Sequence, residues 1–119
     1  MNKWEFEKIK ISEMSKIEKI IKLINEHIIN NTSILTISSK EIKVSFYLKE
    51  SDKVKLHYDY DSLDIDAIEF ELNKNYVSPI SKDKLEYLYV EYSKKEKGTL
   101  KSATLFLKDK TTSYDISFY

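Results

Sequence analysis

Hydrophobic spacing changes period along this chain, and each change marks an element. Ile17, Ile20, Ile21, Ile24 and Ile28 recur at i, i+3, i+4, i+7 and i+11, the single apolar stripe of an amphipathic helix. The spacing predicts a helix over 13–30. Its start reads "SKIE" at Ser15–Glu18, a capping-box pattern in which the Ser15 hydroxyl accepts from the Glu18 amide and the Glu18 side chain reaches back. Asn30 and Asn31 tolerate the left-handed conformation that ends helices. Before the helix, "WEFEKIKI" alternates in part and predicts a short strand.

After Asn31 the period falls to two. "TSILTIS" predicts a strand. In "EIKVSFYLK", Ile42, Val44, Phe46 and Leu48 share one face, and Glu41, Lys43, Ser45, Tyr47 and Lys49 the other. In "KVKLHYDYD", Val54, Leu56, Tyr58 and Tyr60 point inward, with Lys53, Lys55, His57, Asp59 and Asp61 outward. The "ESD" turn at 50–52 is expected to join these two strands as a hairpin. "SATLFLK" and "SYDISFY" predict a closing hairpin around Asp109-Lys110-Thr111, with Ala103, Leu105 and Leu107 facing Tyr114, Ile116 and Phe118. Two segments read either way. "DSLDIDAIEFEL" alternates as a strand over 68–72 and also fits a helix capped by Asp61, with Ile65, Ile68 and Leu72 on one stripe. "DKLEYLYVEYSKKEKG" carries helix punctuation in Ser81 and Gly98, but its Tyr-Leu-Tyr-Val core favours a strand. The strand reading is preferred in both. The expected fold class is α+β: one N-terminal amphipathic helix packed on a twisted antiparallel β-sheet, a meander of about five to seven strands, in a single domain over 1–119.

Composition removes several classes of function. The 119 residues are 41% hydrophobic and 34% charged, with a formal net charge of zero. Such a chain is globular rather than disordered, and no overall field draws it to nucleic acid or an anionic membrane. It has no Cys, hence no disulfide, zinc-thiolate site or thiol catalysis. All 20 basic residues are Lys, so bidentate Arg readout of phosphate or guanine is excluded and direct nucleic-acid binding is not expected. The single Gly rules out glycine-rich nucleotide loops, and no cofactor is expected. "MNKWEFEKIK" lacks the apolar core of a signal peptide, and no apolar run is long enough to span a membrane. A cytoplasmic location is expected. The bias toward Lys, Ile, Asn and Tyr points to an AT-rich gene from a low-GC bacterium, a phage or a mobile element.

One stretch stands apart. "HYDYDSLDIDAIEFEL" (57–72) carries Asp59, Asp61, Asp64, Asp66, Glu69 and Glu71 and no Lys. Counted as a calcium loop from Asp59, it puts Asp64 where Gly is needed and Phe70 where Glu is needed, so no metal site is expected. Carboxylates two apart share a strand face, with a spacing of about 6.6 Å. The phase slips at Ser62 and again at Ala67. If each slip is a turn or bulge, all three acidic pairs return to one surface. Ordered negative charge of this kind suits the basic cleft of a protein partner and speeds association. The plainer alternative is the wet face of a strand, balanced by Lys53, Lys55 and Lys74. Tyr47 and the other tyrosines add contact area of the kind interfaces favour. "KKEKGTLK" (94–101) reads as a solvated turn. Catalysis rests on two histidines: His27 and His57 could serve a small ribonuclease, though nothing in their spacing brings them together.

The chain resembles the small bacterial immunity proteins, the cognate inhibitors encoded beside secreted nuclease toxins. The likeness lies in its length, the absence of Cys, the N-terminal amphipathic helix, the Tyr-rich strands, the acidic run "DYDSLDIDAIEFE" and the closing "SATLFLKDKTTSYDISFY". It implies a non-enzymatic inhibitor that covers a basic active-site cleft of a protein partner. The partner-binding residues expected are Asp59, Asp61, Asp64, Asp66, Glu69, Glu71, Tyr47 and His57. A phage-encoded inhibitor of a host defence nuclease would carry the same face. The oligomeric state is left open.

Overall fold

The computed structural model describes residues 4–73, 77–93 and 99–119. Among these residues the order is β1 (Trp4–Lys10), α1 (Met14–Asn30), β2 (Ser33–Ser38), β3 (Lys43–Leu48), β4 (Lys53–Tyr58), β5 (Ile65–Glu71), β6 (Val77–Ser81), a 3-10 turn (Lys82–Lys84), β7 (Leu85–Ser93), β8 (Leu100–Leu107) and β9 (Ser113–Phe118). The fold is α+β, with an N-terminal helix on antiparallel sheet, as the periodicity predicts. Both ambiguous segments are strands, β5 and β7. Ser81, the expected helix cap, instead caps the 3-10 turn by accepting from the Asp83 N–H at 3.4 Å. The lysine-rich stretch 94–98 lies outside the described residues.

The helix forms because its stripe is buried. Ile17, Ile21, Ile24 and Ile28 are all in the core, and burial outweighs the modest helix propensity of a β-branched residue. Its ends differ from the sequence expectation. Glu13 occupies the N-cap position without a side-chain cap, and Ser15 falls inside the first turn, so the capping box does not form. Asn31 is extended (φ −136°, ψ 164°), and its N–H donates to the His27 carbonyl at 2.9 Å. The end is satisfied without a left-handed residue.

The strands divide between two sheets. The larger has the order β1-β7-β8-β9-β2-β3 and the smaller β4-β5-β6. The β8–β9 hairpin keeps the expected partners, Ala103 with Ile116 and Leu105 with Tyr114. Pro79 sits in β6, an edge strand of the smaller sheet, where a missing N–H is tolerated. The expected β3–β4 hairpin does not form. Asp52 turns the chain sharply: its carboxylate accepts from Lys49 N–H at 2.7 Å and from Asn73 N–H at 3.0 Å, and its own N–H donates to the Lys49 carbonyl at 2.9 Å. Beyond the turn, Asn25 of α1 claims the strand. Val54 N–H donates to Asn25 Oδ1 at 2.9 Å, and Asn25 Nδ2 donates to the Val54 carbonyl at 3.0 Å. The helix side chain therefore fills the place a neighbouring strand would take, and β4 leaves the plane of β3.

The smaller sheet and α1 lie together over one face of the larger sheet. Residues of α1, β4, β5, β7, β8 and β9 meet around a residual void of about 10 Å³, at the lower limit for a single water. Phe70 of β5 stacks on Tyr114 of β9, with centroids 5.2 Å apart. No described helix is long and apolar enough to cross a membrane.

Three substitutions test this packing. Asn25→Ala leaves both polar groups of buried Val54 unpaired and should lower stability by about 1–3 kcal/mol in urea unfolding. Asn25→Asp keeps an acceptor for Val54 N–H and should fall between; an unchanged midpoint in both would mean that Asn25 does not hold β4. Ser33 is fully buried, and among the described residues its hydroxyl has no hydrogen-bond partner. Ser33→Ala removes an unsatisfied group and should raise stability by about 1 kcal/mol.

Candidate partner-binding surface

The most unusual local structure is the loop joining β4 to β5, residues 59–64. Asp59 organises it. Its carboxylate accepts from Asp61 N–H at 2.8 Å and Ser62 N–H at 3.4 Å. Its backbone closes the loop, with Asp59 N–H donating to the Asp64 carbonyl at 2.8 Å and Leu63 N–H to the Asp59 carbonyl at 2.9 Å. Leu63 adopts the left-handed conformation at φ 59°, which disfavours a residue with a Cβ by about 1–2 kcal/mol. These bonds hold two large side chains in solvent. Tyr60 is 98% exposed and Leu63 67% exposed. Asp61 and Asp64 are exposed beside them.

The rest of the acidic run does not gather here. At the far end of the loop the β4–β5 register shifts. His57 pairs with Ala67 and Tyr58 with Ile65, so Asp66 is skipped and remains exposed. Glu69 and Glu71 lie on the outer face of the smaller sheet beside polar side chains of β4. Glu69 Oε2 meets His57 Nε2 at 3.1 Å, and Glu71 Oε2 meets Lys55 Nζ at 2.9 Å. The phase slips thus scatter the carboxylates: three in the loop, one in the bulge and two in side-chain pairs. Tyr47 is exposed on β3, in the other sheet, where it borders a hollow with Asp52, Leu72 and Asn73 at the opposite end of β4. His57 is committed to Glu69.

Sequence reading missed Tyr60 and Leu63. It continued the β4 alternation through Tyr60 and placed it inward, but β4 ends at Tyr58. Tyr58 turns to the helix, where its hydroxyl donates to Glu18. Burial and the Glu18 carboxylate push that phenol up to about 12. Leu63 was the available signal, a lone leucine in a stretch of Asp and Ser outside any apolar face.

The surroundings temper the charge of the loop. Beside it opens a cleft of about 530 Å³ lined by Lys8, Lys10, Lys82 and Lys108 as well as by Asp64, Asp83 and Glu86. Four ammonium groups against three carboxylates leave little net field. Among the described residues no group of three or more His, Asp or Glu is arranged to hold a metal. His27 is engaged structurally: Nδ1 meets the Leu23 carbonyl at 2.8 Å, and Nε2 accepts from Leu100 N–H at 3.3 Å. That pattern requires the neutral tautomer with its proton on Nδ1. Both ring nitrogens are used, and the ring packs edge-on against Phe118. His27 and His57 therefore serve different partners in different elements. Compared with known proteins, the chain matches no family model, no curated sequence and no solved structure.

The loop has a pH signature. The N–H groups of Asp61 and then Ser62, with Lys82 nearby, hold the Asp59 carboxyl below its ordinary value of 3.8. A depressed folded pKa means that the carboxylate stabilises the loop above the ordinary value and loses that role as pH falls through the depressed one. The Asp61 amide resonance, followed by NMR, should titrate with a midpoint below 3.8. A midpoint at or above it would show that Asp59 does not cap the loop.

Proposed function

We propose that the protein is a non-enzymatic protein-binding inhibitor acting in the cytoplasm, an immunity protein that neutralises a nuclease-type toxin through the β4–β5 loop. One observation carries the reading: Tyr60 and Leu63 are held in solvent by a loop that Asp59 locks. A folded chain gains nothing internally from a tyrosine that is 98% exposed or from a leucine in a left-handed backbone. Both suit a contact made with another molecule. Tyrosine is among the residues enriched at interface hot spots, and a loop ordered in advance avoids the entropy of ordering on binding. Asp61 and Asp64 flank these anchors in the loop that Asp59 caps, and Asp66 is exposed in the adjoining bulge; negative charge of this kind favours a basic cleft and quickens encounter. Glu69 and Glu71 contribute less, because Glu69 is already bonded to His57 and Glu71 to Lys55.

Co-expression with the product of the adjacent gene, followed by binding kinetics, tests the reading. Tyr60→Ala should weaken the complex by at least about 30-fold, the signature of a hot spot. Replacing Asp59, Asp61, Asp64 and Asp66 by Asn should mainly slow association and flatten its salt dependence. Glu69→Gln and Glu71→Gln should change little. A complex indifferent to both Tyr60→Ala and the four-Asn variant would sink the proposal.

A further inference from the structure

The first strand of the β2–β3 hairpin is covered on both sides, by β9 and β3. The second, β3, is an edge of the larger sheet, and its apolar face outruns the core. Leu48 is buried, but Val44 is 41% and Ile42 62% exposed. The alternation that builds an inner face thus continues past any described residue that covers it. The other edge of the same sheet, β1, is guarded by Glu5, Glu7, Lys8 and Lys10, the usual defence against edge pairing, whereas β3 carries one charge, Lys43.

The backbone of β3 shows which groups are open. Ser39 N–H donates to the Ile42 carbonyl at 2.8 Å, which makes Ser39 and Ile42 a hydrogen-bonded pair. Antiparallel pairs alternate, so with the observed register Val44, Phe46 and Leu48 bond toward β2. Lys43, Ser45 and Tyr47 then turn N–H and C=O to the free edge. Lys49 agrees with this phase, since its N–H and C=O point away from β2 and are taken by Asp52.

We propose that β3 pairs antiparallel with β3 of a second copy of this chain about a twofold axis at Ser45. Ser45 then opposes its own counterpart, and Lys43 of each copy opposes Tyr47 of the other. This register uses every open group of the three residues; a shift of two residues in either direction leaves some unpaired. It is also the register in which the side chains match. On the inner face, Ile42 meets Leu48 and Val44 meets Phe46, so each exposed residue extends the core of the other copy. On the outer face, Lys43 lies over the Tyr47 ring. At the ends, Lys40 comes beside Glu50 and Glu41 beside Lys49. Among the described residues none of these four is in an ion pair within its own chain. A shift that set Ser45 against Tyr47 would place Lys43 against Lys49. The twofold doubles each favourable pair, as an isologous interface requires. The proposal does not depend on the function assigned to the β4–β5 loop.

Sedimentation equilibrium of the full chain tests it. The wild type should dimerise, and either Glu41→Lys or Lys49→Glu should raise the dissociation constant by about tenfold, because each reversal makes two attractive pairs repulsive. The double variant Glu41→Lys/Lys49→Glu restores opposite charges and should recover affinity to within about threefold of wild type. That rescue separates pairing from damage to the fold. Ser45→Pro, which removes an outward N–H, should leave a monomer with unchanged far-UV circular dichroism. A wild type that stays monomeric up to about 1 mM overturns the proposal, and so does a dimer that ignores the charge reversals.

Discussion

The architecture turns on Asn25. Its side chain forms with Val54 the two backbone-like hydrogen bonds that a neighbouring strand would supply. Helix α1 thereby takes the free edge of β4. Without that substitution β4 would have unsatisfied groups beside the turn from β3, and the natural remedy would be to extend the larger sheet. With it, β4–β6 form their own sheet across the face of the first, and Phe70 comes to rest on Tyr114. The same choice leaves β3 as an edge strand and sends the β4–β5 loop beyond the core. The open edge of β3 and the exposed β4–β5 loop both follow from one amide side chain.

Much of the fold was legible because it depends on period. The Ile stripe of α1, the alternation of β3 and β4, and the closing hairpin all reflect burial on one face, which sequence spacing records directly. Sheet membership is not recorded in that way. β3 and β4 alternate well and are separated by a turn, and nothing local distinguishes a hairpin from a chain that leaves the sheet. The deciding partner is Asn25, more than twenty residues away, whose amide has no pattern of its own. The missed capping box has a related cause. Ser15 and Glu18 have the right spacing, but the helix begins earlier, where Glu13 N–H donates to the Lys10 carbonyl at 2.9 Å.

The acidic run shows where composition misleads. Six carboxylates in sixteen positions look like one surface. Folded, they fall into three groups with different work to do. Asp59 is an internal cap of its loop, Glu69 and Glu71 bond to His57 and Lys55 across the β4–β5 ladder, and the loop tip and Asp66 face solvent. With Lys8, Lys10, Lys82 and Lys108 close by, charge density alone would not mark a site. The exposed anchors do, and they were hidden in the sequence because the alternation of β4 was extended two residues too far.

The two surfaces lie at opposite ends of β4. Tyr47 shares its hollow with Asp52, Leu72 and Asn73, where β4 begins and β5 ends, whereas Tyr60 and Leu63 stand where β4 has ended and β5 has not begun. A strand of six residues separates them by about 20 Å. Pairing through β3 would therefore leave both loops of a dimer uncovered, and stoichiometry becomes informative. A monomeric partner would occupy each loop independently, two per dimer, with no gain from linkage. A dimeric partner whose clefts matched the spacing of the loops would gain through effective concentration. Avidity that vanished with Ser45→Pro while the affinity of a single loop persisted would assign the edge strand to assembly and the loop to recognition, two roles that one interface could not separate.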